Sequence, residues 1–264
     1  MRIPRAIRYA VAVAAVLLLT ASIAPSVAQA IPVPGVVRVM VVGDSISQGK
    51  TGDDPWRCQL WRKASTVMRL DMVGIRQDLH GGGDYGSELG CDPDHDAIWG
   101  SLNPLAGLVS TAKVTIAADV TAARPDVVLV LLGVNDVNLG HLEATIEADF
   151  TELVTSARTV DPGLVIVVGT VLPTDGVVNQ AGIDAYNAWL TVIHASLQVK
   201  LVDTAAVFDP ASMTYDGVHP TTGGSDVIAR AFLSALLRRS PAPPPSPPAA
   251  VTPVAPSPTA AARC

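Results

Sequence analysis

An apolar stretch that stops at a small polar turn is the feature that most constrains the fold of this chain. Residues 36–42 read Val-Val-Arg-Val-Met-Val-Val, and Gly43-Asp44-Ser45 follows at once. A run this short and rich in β-branched residues favours a parallel strand covered on both faces over a helix. In open α/β sheets the reactive groups gather beyond the carboxyl ends of the strands. The pattern therefore places the Ser45 hydroxyl where a nucleophile would lie.

Strand-like and helix-like stretches alternate along the rest of the chain. After the first strand, the apolar runs predict strands at 70–75, 127–132, 164–168 and 199–202. The periodic runs predict helices at 56–68, 105–123, 142–159, 183–197 and 223–239. This alternation predicts βαβ units with right-handed crossovers, and therefore an α/β fold around a parallel sheet. The glycine-rich stretch 76–103 breaks every period, and a loop of that length indicates a functional segment.

The beginning of the chain predicts export. Residues 1–30 combine three arginines, an apolar centre at 9–19 and a small-residue Ala-Gln-Ala end, which is typical of a secretory signal peptide. The apolar centre is short for a membrane span, and an uncleaved anchor is the alternative interpretation. Either interpretation places the following domain, residues 31–239, outside the cell.

The other end of the chain predicts a tail. Residues 240–264 consist mainly of Pro, Ala, Ser and Thr, a composition that cannot bury a core and favours an extended polyproline-rich segment. A spacer to the cell envelope and an exposed end without function are both open. We therefore expect a secreted protein, with envelope association as an option.

Charge and cysteine content exclude several classes of partner. The net charge is −6, and loss of the arginine-bearing signal segment makes the chain more acidic, which disfavours nucleic acid and anionic membranes. The three cysteines, Cys58, Cys91 and Cys264, lack metal-site spacing, so no metal site is expected. In an oxidising compartment Cys58 and Cys91 form the natural disulfide pair, although small buried thiols are the alternative.

Three short motifs in order along the chain carry the chemistry. They are Gly43-Asp44-Ser45, Gly133-Val134-Asn135-Asp136 and Asp216-Gly217-Val218-His219. Each is common by itself, and Asp92-Pro93-Asp94-His95 repeats the Asp-to-His spacing inside the irregular stretch. Together, however, they supply every group that acyl transfer requires.

The roles follow from the chemistry of acyl transfer. Ser45 would attack the carbonyl carbon, and His219 would take its proton and return it to the leaving alcohol. Asp216 would hold the imidazole in the required tautomer. The Asn135 side chain, the Ser45 N–H and a glycine N–H would hold the oxyanion.

These residues resemble the blocks of the SGNH, or GDSL-type, hydrolase superfamily. Residues 36–237 are most similar to secreted members of carbohydrate esterase family 3, a likeness that rests on Trp56, Arg57, Leu60, Trp61, Val73, Gly74, Asp94, His95, Gly100 and the block Tyr215-Asp216-Gly217-Val218-His219-Pro220. The family usually reads Asp-His-Glu-Gly where this chain reads Asp94-His95-Asp96-Ala97. The resemblance places the second oxyanion glycine at Gly100, with Gly107 as the rival position.

The resemblance implies a flavodoxin-like three-layer αβα sandwich with a five-stranded parallel sheet. It also implies metal-free and cofactor-free hydrolysis of small acyl esters, typically acetyl groups on a carbohydrate such as acetylated xylan. We expect a monomer. A GDSL-type lipase or general carboxylesterase, and a wall-associated binding protein without turnover, are the alternative functions.

Two residues of the irregular stretch are candidates for the substrate cleft. Trp99 is the tryptophan best placed to contact a sugar. His95 would either line the cleft or bond a loop carbonyl.

Overall fold

A parallel sheet with helices packed against it organises the molecule. The computed structural model describes residues 35–82, 89–100 and 107–238. The strands of the sheet are β1 Val37–Gly43, β2 Leu70–Val73, β3 Asp96–Ala97, β4 Val127–Leu131, β5 Val165–Gly169 and β6 Lys200–Val202. Five of them lie in the order β2-β1-β4-β5-β6, and every pair is parallel. The predicted α/β sandwich is thereby confirmed.

The expected number of five strands is wrong, because the described residues contain a sixth. The short strand β3 pairs with β1 beyond the end of β2, through Val42 with Asp96 and Gly43 with Ala97. Two residues are too few to show the alternation that predicts a strand. The pairing nevertheless brings the segment before Trp99 to the carboxyl end of β1.

The helices occur in the predicted order, with several short additions. They are α1 Ser45–Gln48, α2 Trp56–Ala64, α3 Val109–Ala123, α4 Val134–Asn138, α5 Glu143–Val160, α6 Gln180–Ile193, α7 Pro210–Met213 and α8 Thr222–Leu237, with a 3-10 turn at Ala205–Val207. Helix α2 packs against α8, whereas α3 packs against α5, which also contacts α6. Right-handed crossovers put these two groups on opposite faces of the sheet. None of the described helices has the length and apolar character needed to cross a membrane.

Burial on both faces explains the apolar strands. All five residues of β4 and of β5 are buried, as is β1 except for Arg38. Arg38 is tolerated because its guanidinium reaches the end of α3 and donates to the Ala123 carbonyl at 2.8 Å. Pro55 occupies the N-terminal cap position of α2, while Asp53 accepts from the Lys50 N–H and Asp54 bonds Arg62.

A disulfide joins Cys58 of α2 to Cys91, as the sequence predicted. The two sulfur-bearing residues are buried together with Leu79. A link across 33 residues of sequence stabilises the fold by about 3–4 kcal/mol on the chain-entropy model. It therefore ties the segment that leads to β3 onto α2. The predicted signal segment 1–30 and the tail 240–264, with Cys264, lie outside the described residues.

Candidate active site

A sharp turn at the end of β1 presents Ser45 at the edge of the sheet. Ser45 is the first residue of α1, and the side chain of Asp44 caps this helix by accepting from the Ile46 N–H at 2.9 Å. A side chain at Gly43 would place its Cβ 2.3 Å from Ser47 Oγ. Only glycine therefore fits where the strand turns into the helix.

The loop before α8 brings an imidazole to Ser45. His219 Nε2 lies 2.9 Å from Ser45 Oγ, and His219 Nδ1 lies 2.8 Å from Asp216 Oδ2. The other carboxylate oxygen of Asp216 accepts from the backbone N–H groups of Val218 and His219. With Nδ1–H donating to the carboxylate, Nε2 is left to accept the Ser45 hydroxyl proton. The structure thus brings together the three residues that the sequence singled out.

Asn135 enters the site from the end of β4. It lies in the first turn of α4, after Gly133, whose φ of 125° is strained for any residue with a side chain. The same glycine is packed against Tyr186, since a Cβ there would lie 2.7 Å from the Tyr186 ring. This packing fixes the backbone that carries Asn135.

The two candidate glycines lie in different places. Gly100 lines a pocket of about 400 Å³ together with Ser45, Asn135 and His219. The Gly107 carbonyl accepts from Asn135 Nδ2 at 3.1 Å, and Gly107 itself lines a separate small cavity. Gly100 thus lies at the pocket that contains Ser45, whereas Gly107 orients the asparagine amide.

Trp99 lines the same pocket and stacks on His219. The two ring centroids lie 4.6 Å apart at an interplanar angle of 10°. Trp99 also stacks on His80, at 4.5 Å and 15°. The sequence gives no indication of the contact with His80, because an aromatic contact leaves no signal in local spacing.

Sequence reasoning also missed Tyr215 and Lys50. The Tyr215 ring stacks near His219 with centroids 5.8 Å apart, and Lys50 Nζ lies 3.9 Å from the centre of the Tyr215 ring. Tyr215 belongs to the block that carries the family resemblance, and that position was the available signal. Lys50 had none.

His95 is not part of the cleft, which corrects one of its two predicted roles. The residue is fully buried, and its Nδ1 accepts from the Ala97 N–H at 3.0 Å while Nε2 lies 2.9 Å from the Asp78 carbonyl. Gly74 packs so closely that a Cβ there would lie 2.2 Å from the His95 carbonyl oxygen. His95 therefore orders the loop, which was the alternative interpretation.

The carboxyl groups of the site differ in the direction in which their surroundings shift their pKa values. Burial raises the pKa of Asp44 to about 7, and the neighbouring charge of Asp136 adds to the rise. Burial also raises the pKa of Asp136, which accepts from the Val109 N–H at 3.1 Å. Burial tends to raise the pKa of Asp216 as well, but hydrogen bonds from the His219 and Val218 backbone and the His219 ring outweigh it and lower that pKa. Asp216 is thus the carboxylate kept charged beside the imidazole.

The sequence matches a family model over most of the described region. The model of the GDSL-like Lipase/Acylhydrolase family matches residues 41–227. A multidomain esterase from Ruminococcus flavefaciens is 25% identical over 238 residues, which cover 82% of this chain and 30% of that protein. This chain therefore spans less than a third of the length of that relative.

Solved structures of esterases share the fold. An acetyl esterase mutant with an acetate ion and a carbohydrate esterase family 3 protein from Talaromyces cellulolyticus each show 29% identity and a TM-score of 0.62, covering 76% of this chain and 96% of theirs. A Clostridium thermocellum family 3 carbohydrate esterase has the same TM-score at 23% identity, covering 76% of this chain and 99% of its own. This chain is similar to all three.

Proposed function

The chain belongs to the GDSL-like lipase/acylhydrolase family, and on that premise we propose that it is an exported serine esterase that removes acetyl groups from carbohydrate. One observation carries the catalytic part of this proposal. His219 Nε2 lies 2.9 Å from Ser45 Oγ, and the opposite ring nitrogen is held by Asp216. This is the geometry of a nucleophile, a base and a group that orients the base.

The first half of the reaction forms an acyl-enzyme. Ser45 Oγ attacks the ester carbonyl carbon while its proton passes to His219 Nε2. The resulting oxyanion is held by the Ser45 N–H, the Gly100 N–H and the Asn135 amide. His219 then gives the proton to the alcohol oxygen, and the bond between this oxygen and the carbonyl carbon breaks. Asp216 stays ionised and stabilises the imidazolium.

The second half of the reaction releases the acid. A water molecule attacks the acyl carbon, and its proton passes to His219 Nε2. The bond to Ser45 Oγ then breaks as His219 returns the proton to this oxygen. Free carboxylic acid leaves, and the serine is regenerated.

The acetyl and carbohydrate parts of the proposal are supported by the relatives. An acetyl esterase and a carbohydrate esterase family 3 protein are the neighbours at 29% identity. Export is supported by the character of residues 1–30, and mass spectrometry of the protein secreted by an expression host would locate the mature N-terminus. A cleavage site near residue 30 is expected, and retention of the whole segment on membranes would contradict it.

A medium-chain ester is the second candidate substrate, for a specific structural reason. Leu139 and Val177 line the active-site pocket and are each about half exposed. Exposed apolar side chains at the mouth of a pocket can bury an acyl chain longer than acetyl, at about 0.8 kcal/mol per methylene.

One comparison tests both candidates. The purified protein and its Ser45→Ala variant are assayed on 4-nitrophenyl acetate, a medium-chain 4-nitrophenyl ester and acetylated xylan, with released acetate quantified directly. Ser65→Ala is the matched control, since Ser65 is exposed at the end of α2. We expect acetate release from xylan that Ser45→Ala abolishes and Ser65→Ala preserves. A preference for the medium chain would favour the second candidate, and equal rates for all three proteins would refute catalysis by Ser45.

A further inference from the structure

A second cavity lies next to the active-site pocket, and Trp99 forms part of the wall of both. This cavity has a volume of about 890 Å³, more than twice that of the active-site pocket. It is bounded on one side by residues 76–82 and on the other by the first half of α3. A ligand held at Ser45 can therefore extend past Trp99 into a larger space.

The second cavity combines an apolar surface, to which Leu79, Ile98 and Val114 contribute, with polar side chains whose charges balance. Arg76 and Asp78 form an ion pair, with Nη2 and Oδ2 separated by 2.8 Å. His80 adds an imidazole, and Ser110 and Thr115 add hydroxyl groups. A lining that joins apolar surface to hydroxyl groups and paired charges fits a sugar ring, which has apolar C–H faces and hydroxyl groups, better than it fits an ion.

Hydrogen bonds hold this lining in place. Gln48 is buried; its Oε1 accepts from the Trp99 N–H at 2.6 Å, and its Nε2 donates to Asp78 Oδ2 at 3.0 Å. The Nε of Arg76 is buried and has no hydrogen-bond partner in the part of the chain that the structure describes. The fold thus holds the polar side chains of the lining in fixed positions.

The reaction decides which part of an ester would enter this space. His219 must protonate the alcohol oxygen, so the alcohol part of the substrate passes beside the imidazole. Trp99 lies against that imidazole, and the second cavity begins on the other flank of Trp99. The apolar residues Leu139 and Val177 belong to the active-site pocket and not to the second cavity.

We propose that the second cavity binds the sugar rings that neighbour the acetylated ring, so that the enzyme prefers an acetylated oligosaccharide or polysaccharide to an acetylated monosaccharide. This inference rests on the proposed function and specifies its substrate. It assigns the segment 76–82 and α3 to substrate binding, whereas Ser45, Asp216 and His219 carry the chemistry.

A bulky substitution at the rim tests the inference. Val114 on α3 lines the cavity and is 74% exposed, whereas Val192 on α6 is 79% exposed and lies among residues that line neither cavity. We expect Val114→Trp to lower kcat/KM on acetylated xylo-oligosaccharides about tenfold, which corresponds to about 1.4 kcal/mol. Val192→Trp is the matched control and should change nothing. Rates on 4-nitrophenyl acetate and on an acetylated monoxyloside should stay at the wild-type level in both variants.

A second variant tests the same inference without the structural disturbance that the bulky tryptophan of Val114→Trp could cause. Asp78→Asn keeps the shape of the side chain but removes the charge that pairs with Arg76, and it should raise KM for the oligosaccharide alone. Equal kcat/KM for monosaccharide and oligosaccharide esters in every protein would overturn the inference and leave the proposed esterase intact. Failure of the wild type on all sugar esters, with Ser45-dependent hydrolysis of 4-nitrophenyl acetate, would refute the carbohydrate substrate itself.

Discussion

Two histidines of this chain stand three residues after an aspartate, and the structure gives them opposite surroundings. His219 comes after Asp216, keeps about a fifth of its side chain exposed, and contacts Ser45 and Asp216 through its two ring nitrogens. His95 comes after Asp92 and is fully buried. Its ring nitrogens lie against backbone groups of Asp78 and Ala97.

The two motifs differ in the element that the chain enters next. After His219 the chain enters the long helix α8, and Asp216 folds back on the backbone N–H groups and the ring of the histidine. After His95 the chain enters β3, and Asp92 turns away to accept from the N–H groups of Met72 and Asp94. The Asp-to-His spacing alone therefore does not indicate an Asp–His contact. The secondary-structure element that follows the histidine decides whether the carboxylate reaches the imidazole.

Replacing Asp216 and Asp92 by asparagine, one at a time, tests this comparison and should give the largest change in kcat. Asp216→Asn removes the charge that stabilises the imidazolium and lets the ring adopt the wrong tautomer, so kcat on 4-nitrophenyl acetate should fall by a factor on the order of 10²–10⁴. Asp92→Asn is the matched control and should keep kcat within about twofold, since it touches no reacting group. Equal losses in the two variants would break the distinction between the motifs.

The stability of the fold should depend on His95 instead. His95→Ala leaves the Ala97 N–H and the Asp78 carbonyl without the ring that bonds them, which should lower the free energy of unfolding by about 1–3 kcal/mol. Denaturant unfolding at pH 7 measures this change. Activity per folded molecule should remain close to that of the wild type, and a large fall in kcat with unchanged stability would assign His95 to catalysis after all.

The ring contact of Trp99 sharpens the description of His219. A stacked indole stabilises an imidazolium by about 1–2 kcal/mol, so Trp99→Leu should lower kcat about tenfold with a smaller change in KM. Trp99→Phe should restore most of the loss, because it keeps an aromatic face. With 4-nitrophenyl acetate as the substrate, which does not reach the second cavity, His80→Ala is the control, because His80 contacts Trp99 through a separate ring contact. Equal rates for Trp99→Leu and the wild type would show that the stacking has no part in positioning the base.

The sequence predicted the large elements and pointed to residues that the structure brings together at the candidate site, but it did not predict the contacts between distant loops. Strands β4 and β5 were readable because burial on both faces demands an unbroken apolar run. The helices α1 and α4 are too short to show a period, although they present Ser45 and Asn135. The stacking of Trp99 on His219 joins residues far apart in the chain, and no local pattern encodes such a contact.

The last prediction concerns the pH dependence of stability. Burial, together with the charge of Arg57, lowers the pKa of His95 well below its ordinary value. Below about pH 6.5 the unfolded chain therefore binds a proton that folded His95 does not. The contribution of His95 to the free energy of unfolding is therefore complete above that pH. It is lost as the pH falls, by at most about 1.4 kcal/mol per pH unit.

Comparing the unfolding free energies of the wild type and His95→Gln isolates the contribution of His95. Burial raises the pKa of Asp44 to about 7 and that of Asp96 to about 8. Acids with raised pKa values lower the free energy of unfolding as the pH rises, which is opposite in sign to the contribution of His95. Both acids remain in His95→Gln, whose amide can still donate to the Asp78 carbonyl. The difference in unfolding free energy between wild type and His95→Gln should therefore shrink by about 1 kcal/mol between pH 7 and pH 5.5. A difference that stays constant over this range would mean that folded His95 takes up the proton, and so that its burial does not distinguish it from His219.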